Sequence, residues 1–335
     1  EANQERAALL LQLGMCRWES HSQRGRVADK PAAIAAFRQA AESRTAPPLL
    51  VCNAALHWGL LEDGVEAVEA FEHATTALSR IGSWNLGLDD SLNRLGSVSG
   101  FGRDAAAACL AIGDPEHALE MLEHVRAVTF GRRLKMGSEL EKLAETHSDY
   151  AQQITAALSV LNSASYKLAL PSYGVPPRSK FDTKSIIAGA RWEAASAVED
   201  LIEQVRQLPG WDRFLLPTRA TDLLAANPEG PVIILNVAAR RCDALIVASG
   251  AVTNIELRDL SEKTAAEFTT RFIQAIHSLY RGDATATERK MAEEELWRVC
   301  AWLWDSVAGP VLEHLGYTEV RTDRDYSTWP RVWWL

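Results

Sequence analysis

Cys242 is preceded by Arg240 and Arg241. Guanidinium groups beside a thiol favour the thiolate, the form of cysteine that attacks a carbonyl or holds a metal. A cysteine nucleophile also needs a base. His57, His73, His117, His124 and His277 all fall in helical stretches with no cysteine at a useful spacing. The other four cysteines, Cys16, Cys52, Cys109 and Cys300, stand far apart, with no CxxC pair and no histidine at metal-ligand spacing. They read as reduced thiols on the apolar faces of helices, packing as small hydrophobes. Acidic groups such as Asp89 with Asp90, and Glu293 to Glu295, read as solvated helix starts and faces. No residue is assigned a catalytic, cofactor-binding or metal-ligating role.

The elements that would position any site begin with a repeat. Segments from Asp29 to Glu42, Asp63 to Thr76 and Asp114 to Ala127 each open on Asp and continue with helical apolar periodicity. Counting from that Asp, the fifth residue is Ala33, Ala67 or Ala118; the sixth is Ile34, Val68 or Leu119; the ninth is Phe37, Phe71 or Leu122. These positions line one helical face. The first two segments are offset by 34 residues and the next by 51, with a Gly-rich insertion from Ile81 to Gly102 taking up the difference. Each helix has a preceding partner: Ala7 to Ser20, Leu49 to Glu62, and about Leu88 to Ile112. Asp114-Pro115 reads as N-cap and first helical residue, where a missing donor costs nothing. One further helix, Gly137 to about Val160, closes the stack, giving a helical-hairpin region over residues 1–165. Such arrays bind protein or peptide along their concave side, or serve as scaffold for their neighbour.

Composition narrows the partners. The chain of 335 residues carries a net charge of -9 and a pI near 5.5. It has no basic stripe, since Arg132, Arg133 and Lys135 make only a local cluster at a helix end, so no nucleic-acid partner is expected. The longest apolar runs, near Val232 and near Ala105, are about eight residues against the roughly 20 that a bilayer span needs. Reduced thiols suggest a cytoplasmic setting.

Between Tyr166 and Thr183 the pattern breaks at Pro171, Gly174, Pro176 and Pro177, giving a linker over 166–183, either an ordered crossover or a hinge. A helix from about Lys184 to Gln207 follows and ends at Pro209-Gly210. Pro231 to Val237, Ala244 to Ala248 and Val252 to Leu257 then have strand length and pattern, with Gly230 and Gly250 as punctuation. Helices are expected from Ala265 to Tyr280 and from Thr287 to Leu315, and another strand at Trp334. The fold class is α + α/β, with a sheet only partly present in residues 184–335.

Several blocks resemble the CHAT domain, the caspase-like peptidases associated with tetratricopeptide (TPR) repeats. They are Leu208-Pro-Gly-Trp-Asp-Arg-Phe-Leu-Leu-Pro217, Gly230-Pro-Val-Ile-Ile-Leu-Asn-Val237, Arg241-Cys-Asp-Ala-Leu-Ile-Val247, Leu303-Trp-Asp-Ser-Val-Ala-Gly-Pro-Val-Leu312 and Trp329-Pro-Arg-Val-Trp-Trp334. The repeat period is that of TPR motifs, in which a small residue lets paired helices approach and a Phe fills the gap. Gly113-Asp114-Pro115 and Leu140 to Ala151 look like the helical region preceding CHAT domains. The resemblance implies a TPR-like array followed by the first part of a caspase-like CHAT domain. In that family the Trp-Trp strand leads to a segment with the catalytic His and later to a Ser-Ala-Cys motif with the nucleophile. Neither motif is in this sequence. Cys242 matches a block position unrelated to the family's nucleophile, and it opens a strand where caspase-type nucleophiles follow one.

Six of the eleven tryptophans lie after position 296: Trp297, Trp302, Trp304, Trp329, Trp333 and Trp334. Trp297, Trp304 and Trp333 are expected in the core. The cluster also suits an interface with the missing C-terminal half of the CHAT domain. Glu1 is not an initiator Met and the sequence stops on a Trp-rich strand, so a fragment of a longer protein is expected, with an exposed apolar patch if it stands alone. Two function classes remain. One is the regulatory and structural portion of a TPR-CHAT cysteine endopeptidase, inactive by itself. The other is a free-standing TPR adaptor or pseudoenzyme.

Overall fold

The computed structural model describes residues 2–43, 46–81, 100–126, 132–169, 200–215, 229–319 and 329–335, with isolated helical residues at 197, 198, 222 and 224. Its helices are α1 (Ala2–Arg24), α2 (Asp29–Ala41), α3 (Pro48–Leu61), α4 (Gly64–Ile81), α5 (Phe101–Ala111), α6 (Pro115–Arg126), α7 (Arg132–Thr146) and α8 (Ser148–Ala169). Then come strands β1 (Val232–Val237), β2 (Cys242–Ala248) and β3 (Ala251–Glu256), helices α9 (Glu262–Tyr280) and α10 (Ala286–Leu303), a π-helical turn (Trp304–Ala308), α11 (Gly309–His314) and strand β4 (Trp333–Trp334). The protein is therefore mostly helical with a small four-stranded mixed sheet, as the α + α/β reading expects. It forms two compact units. One comprises Glu1–Leu61, Glu69–Ser99 and Glu123–Pro217; the other comprises Glu62–Val68, Gly100–Leu122 and Thr218–Leu335.

The repeat positions are the interior positions of their helices. Ala33, Ala67 and Ala118 have no exposed surface, nor do Phe37 and Phe71, while Val68, Leu119 and Leu122 are buried and Ile34 is half-buried. In the first unit each Phe fills a gap left by a glycine on the partner helix. A Cβ on Gly14 of α1 would stand 2.5 Å from the Phe37 ring, and one on Gly59 of α3 would stand 3.0 Å from the Phe71 ring. Each buried Phe contributes roughly 1.5–3 kcal/mol, so the glycines are kept for the contact they allow despite their low helix propensity. Asp29, although it opens α2, caps nothing; it is buried and accepts from Arg17 of α1 at 2.7 Å, tying the first hairpin together.

Where the sequence suggests one helix from Gly137 to Val160, the structure has two, α7 and α8, meeting at His147. Thr146, His147, Ser148 and Asp149 are poor helix formers, and Ser and Asp favour a new start. Leu143 and Ile154 of this pair are buried with Val198, Val205 and Phe214. The expected linker begins inside α8, which runs to Ala169; its remainder, the Gly-rich insertion between 82 and 99, and the start of the helix expected from Lys184 lie outside the described residues.

In the second unit the strand order is β3-β2-β1-β4. β1, β2 and β3 form an antiparallel meander, with Val237 opposite Cys242 and Ala248 opposite Ala251. Ser249 and Gly250 make the second turn with φ of 52° and 76°, the left-handed pair that a two-residue hairpin loop requires. After α9 to α11 the chain returns and β4 lies parallel to β1. On one face Ile233, Ala244 and Ile246 pack with Val307 and Val311. The π turn that carries Val307 stands just before Pro310, which cannot donate within the helix, and Gly309 donates back to Trp304 O. On the other face lies α5, whose run from Ala105 to Leu110 is buried throughout. Asn236 Nδ2 donates to Arg103 O at 3.0 Å and Arg241 donates to Leu110 O at 3.2 Å, so polar groups of the sheet hold both ends of that helix.

Three expectations of burial are corrected. Trp297, Trp304 and Trp333 are 76%, 56% and 49% exposed, not core. Apolar periodicity places side chains on a shared face, but it does not say that the face is covered. Likewise Cys16 and Cys300 are exposed, while Cys52, Cys109 and Cys242 are buried.

Candidate functional site

In open sheets with parallel strands, chemistry collects at the carboxyl ends of those strands. Here β1 and β4 run side by side, joined by Trp333 N to Pro231 O at 2.9 Å, Leu335 N to Ile233 O at 2.8 Å and Leu235 N to Leu335 O at 3.1 Å. Their carboxyl ends are Val237 and Trp334, and Ala238 to Arg241 form the turn that leaves β1. This end of the sheet holds Cys242, Arg240 and Arg241.

The arginines do not activate the thiol. Residues alternate across a strand, so Arg241 and Asp243 share one face and Cys242 points to the other. Arg241 grips the fully buried Asp243 with two bonds, Nε to Oδ2 at 2.7 Å and Nη2 to Oδ1 at 2.6 Å, and Asn254 Nδ2 donates to the same Oδ1 at 3.0 Å. This carboxylate holds the Arg241 guanidinium above its ordinary pKa. Arg240 donates to Glu62 O and to Asp63 Oδ1, the latter at 3.1 Å. Cys242 lies in the apolar layer with Ile233, Leu257 and Val311, its Sγ donating to Ala238 O at 3.7 Å. Burial pushes its thiol above the usual range, which opposes a thiolate at neutral pH. Cys52 goes the same way, to about 12, also by burial.

The histidines read as unsuited to catalysis lie in helices as expected. His57 stacks on Phe37 with centroids 5.1 Å apart, and His73 tilts against Trp58 at 5.8 Å. Burial lowers the His57 pKa. Among the described residues no cluster of three or more His, Cys, Asp or Glu side chains could hold a metal ion, and no helix is long and apolar enough to cross a membrane. The side chains of Arg132, Arg133 and Lys135, like Asp89 and Asp90, lie outside the described residues.

At the opposite, amino-terminal end of the parallel pair an open cleft of about 390 Å³ is lined by Glu229, Gly230, Tyr317, Trp329, Pro330 and Arg331. Arg331 Nη1 donates to Glu229 Oε2 at 2.6 Å, and Trp333 Nε1 to Glu229 O at 3.2 Å. Gly230 has φ +109°, and a Cβ there would stand 2.1 Å from Arg331 O, so only glycine lets β4 come this close. Among the described lining residues the charged groups are Glu229 and Arg331, which pair with each other.

Sequence reading singled out Cys242 and missed Asn236 and Asp243. Their signal was available, for each is a polar residue inside an apolar strand, which requires a buried partner. Among the described residues Asn236 Oδ1 is buried without a hydrogen-bond partner, and its amide orientation is fixed by the carbonyl of Arg103. No protein-family model, curated protein or solved structure matches the chain.

Proposed function

We propose that this chain is the regulatory and structural portion of a TPR-CHAT protein, whose complete form is a caspase-like cysteine endopeptidase of the cytoplasm. In this reading the helical hairpins bind a protein or peptide and the sheet is the leading part of the peptidase fold. The observation that carries it is the placement of the Trp-rich strand: β4 lies parallel to β1, with Trp334 opposite Ile233 and Leu235 N donating to Leu335 O. In the CHAT resemblance this strand leads to the catalytic His, so the dyad would be delivered to the end of the sheet where parallel α/β folds do chemistry. Among the described residues that end of the sheet carries Arg240, Arg241 and Cys242, and Cys242 is turned into the apolar layer, where burial pushes its thiol above the usual range. The burial of Ala33, Ala67, Phe37 and Phe71 supports the TPR half, and each Phe fits against a glycine of the partner helix, Gly14 or Gly59.

The complete enzyme would take a proton from its cysteine to its histidine, form an acyl-enzyme with backbone donors holding the oxyanion, and hydrolyse it. Residues of this chain would contribute the rigid floor beneath that site. The Arg241–Asp243–Asn254 network fixes β2 to β3, and the Leu110 carbonyl ties them to α5. The second reading, an adaptor or pseudoenzyme, is favoured by the inert environment of Cys242. The test is the natural coding sequence past the codon for Leu335. A His-bearing segment followed by Ser-Ala-Cys supports the peptidase, and an immediate stop codon overturns it in favour of the adaptor.

A further inference from the structure

We propose that the turn from Leu208 to Leu215 is a strained clasp locked by Glu139, which opens on its own while α7 and α8 stay folded. Leu215 has φ of +56°. Among the described residues Ser249 is the other non-glycine with positive φ, and its two-residue hairpin loop accounts for it. No hairpin accounts for Leu215. For a bulky L residue the left-handed conformation disfavours the closed turn by roughly 5- to 30-fold, so other contacts must hold it there.

Those contacts reach across the first unit. Leu215 N donates to Glu139 Oε2 of α7 at 2.6 Å, over 76 residues of sequence, and Arg206 Nε, at the end of the preceding helix, donates to Phe214 O at 3.1 Å. The backbone between is tightly wound, with Trp211 N donating to Leu208 O at 3.0 Å and Phe214 N to Trp211 O at 2.9 Å. Phe214 and Leu215 are buried in one cluster with Leu143 of α7 and Ile154 of α8, and Trp211 lies edge-on to His147, where α7 meets α8. All these residues belong to the first unit, whose last segment ends at Pro217. The clasp therefore stands where the chain leaves that unit.

Magnitudes make Glu139 the lock. A hydrogen bond to an ionised carboxylate favours closure by about 10- to 100-fold, the same order as the strain that opposes it. Lock and strain nearly cancel, which leaves the burial of Phe214 and Leu215 against the entropy of ordering residues 208–215. A turn so balanced is a two-state element. Any group that competes for the Glu139 carboxylate moves it toward the open state, and opening releases residues 208–215 into the chain that leaves the first unit. This proposal does not depend on the peptidase reading.

The experiment is amide hydrogen exchange of the full chain, read by mass spectrometry on peptides from α7, α8 and residues 208–215. Glu139→Met matches the side chain in length and removes its acceptor oxygens, while Glu139→Gln keeps a neutral one. The expected result is exchange over residues 211–215 faster by about 10- to 100-fold in Glu139→Met and by less in Glu139→Gln, with α7 and α8 exchanging as in the natural chain. Thermal melts establish that both variants fold. A turn that exchanges at the natural rate in both variants would overturn the proposal. So would loss of protection in α7 and α8 in step with the turn, because the turn is then part of one cooperative core and not a separate clasp.

Discussion

Replacing Gly230 by alanine tests whether β4 is held in the sheet by a close backbone approach. The new Cβ would stand 2.1 Å from the carbonyl oxygen of Arg331, a backbone atom that cannot rotate away, and φ at this position is +109°. Holding alanine there costs about 1–3 kcal/mol in backbone strain alone. The clash is relieved only if Arg331 retreats, and with it go the three ladder bonds that join β4 to β1. At about 1 kcal/mol each they add some 3 kcal/mol. Release of β4 removes the clash but not the strain, so Gly230→Ala should destabilise the second unit by about 4–6 kcal/mol. Gly250→Ala is the control, because Gly250 also has positive φ, +76°, but nothing within 4 Å of its Cβ position. Only the strain of about 1 kcal/mol applies there. Denaturant unfolding measures both losses, and amide hydrogen exchange reads the protection of Trp333, Leu335 and Leu235. Equal losses in the two variants, with those three amides still protected in Gly230→Ala, would refute the reasoning.

Three further outcomes are expected. Gly14→Ala should destabilise the first hairpin by about 1–2 kcal/mol, the overpacking against Phe37 outweighing the helix propensity gained, whereas Gly59→Ala, with 3.0 Å to Phe71, should be close to neutral; urea midpoints of the two variants decide it. Asp243→Ala leaves the Arg241 guanidinium without its carboxylate and should cost about 3 kcal/mol or more, against little for an exposed pair such as Arg258–Glu256 replaced the same way. Burial lowers the folded pKa of His57 below its unfolded value near 6.5, so the stability due to its neutral ring is present above that pH and lost as pH falls through the folded pKa. Melting temperatures between about pH 7.5 and 5.5 should therefore drop for the natural chain and drop less for His57→Phe, and parallel curves would contradict this.

The interior of the repeats was legible because helical spacing put Ala33, Phe37, Ala67 and Phe71 on faces that a neighbouring helix must cover. The partners Gly14 and Gly59 were not identified, since a glycine within a helix gives no sign of which ring approaches it. The strands were equally legible, as apolar runs of the right length between glycines, and their meander follows from the short turns. Their second face was not, because Asn236 and Asp243 take meaning only from Arg103 and Arg241, and Arg103 lies 133 residues from Asn236 in sequence. The break at His147 and the π turn before Pro310 are local choices among backbone geometries of similar energy, which periodicity does not separate. Trp297 and Trp304 went astray for another reason: they satisfy the helical pattern, but their face meets solvent.

The proposal that this chain serves as scaffold, with Cys242 a packing residue and not a nucleophile, is tested most directly by thiol reactivity. Alkylation at neutral pH, with each labelled cysteine identified by mass spectrometry, should modify the exposed Cys16 and Cys300 and leave the buried Cys242 untouched until the fold opens. Fast stoichiometric labelling of Cys242 in the folded chain, abolished in Cys242→Ala, would contradict the account.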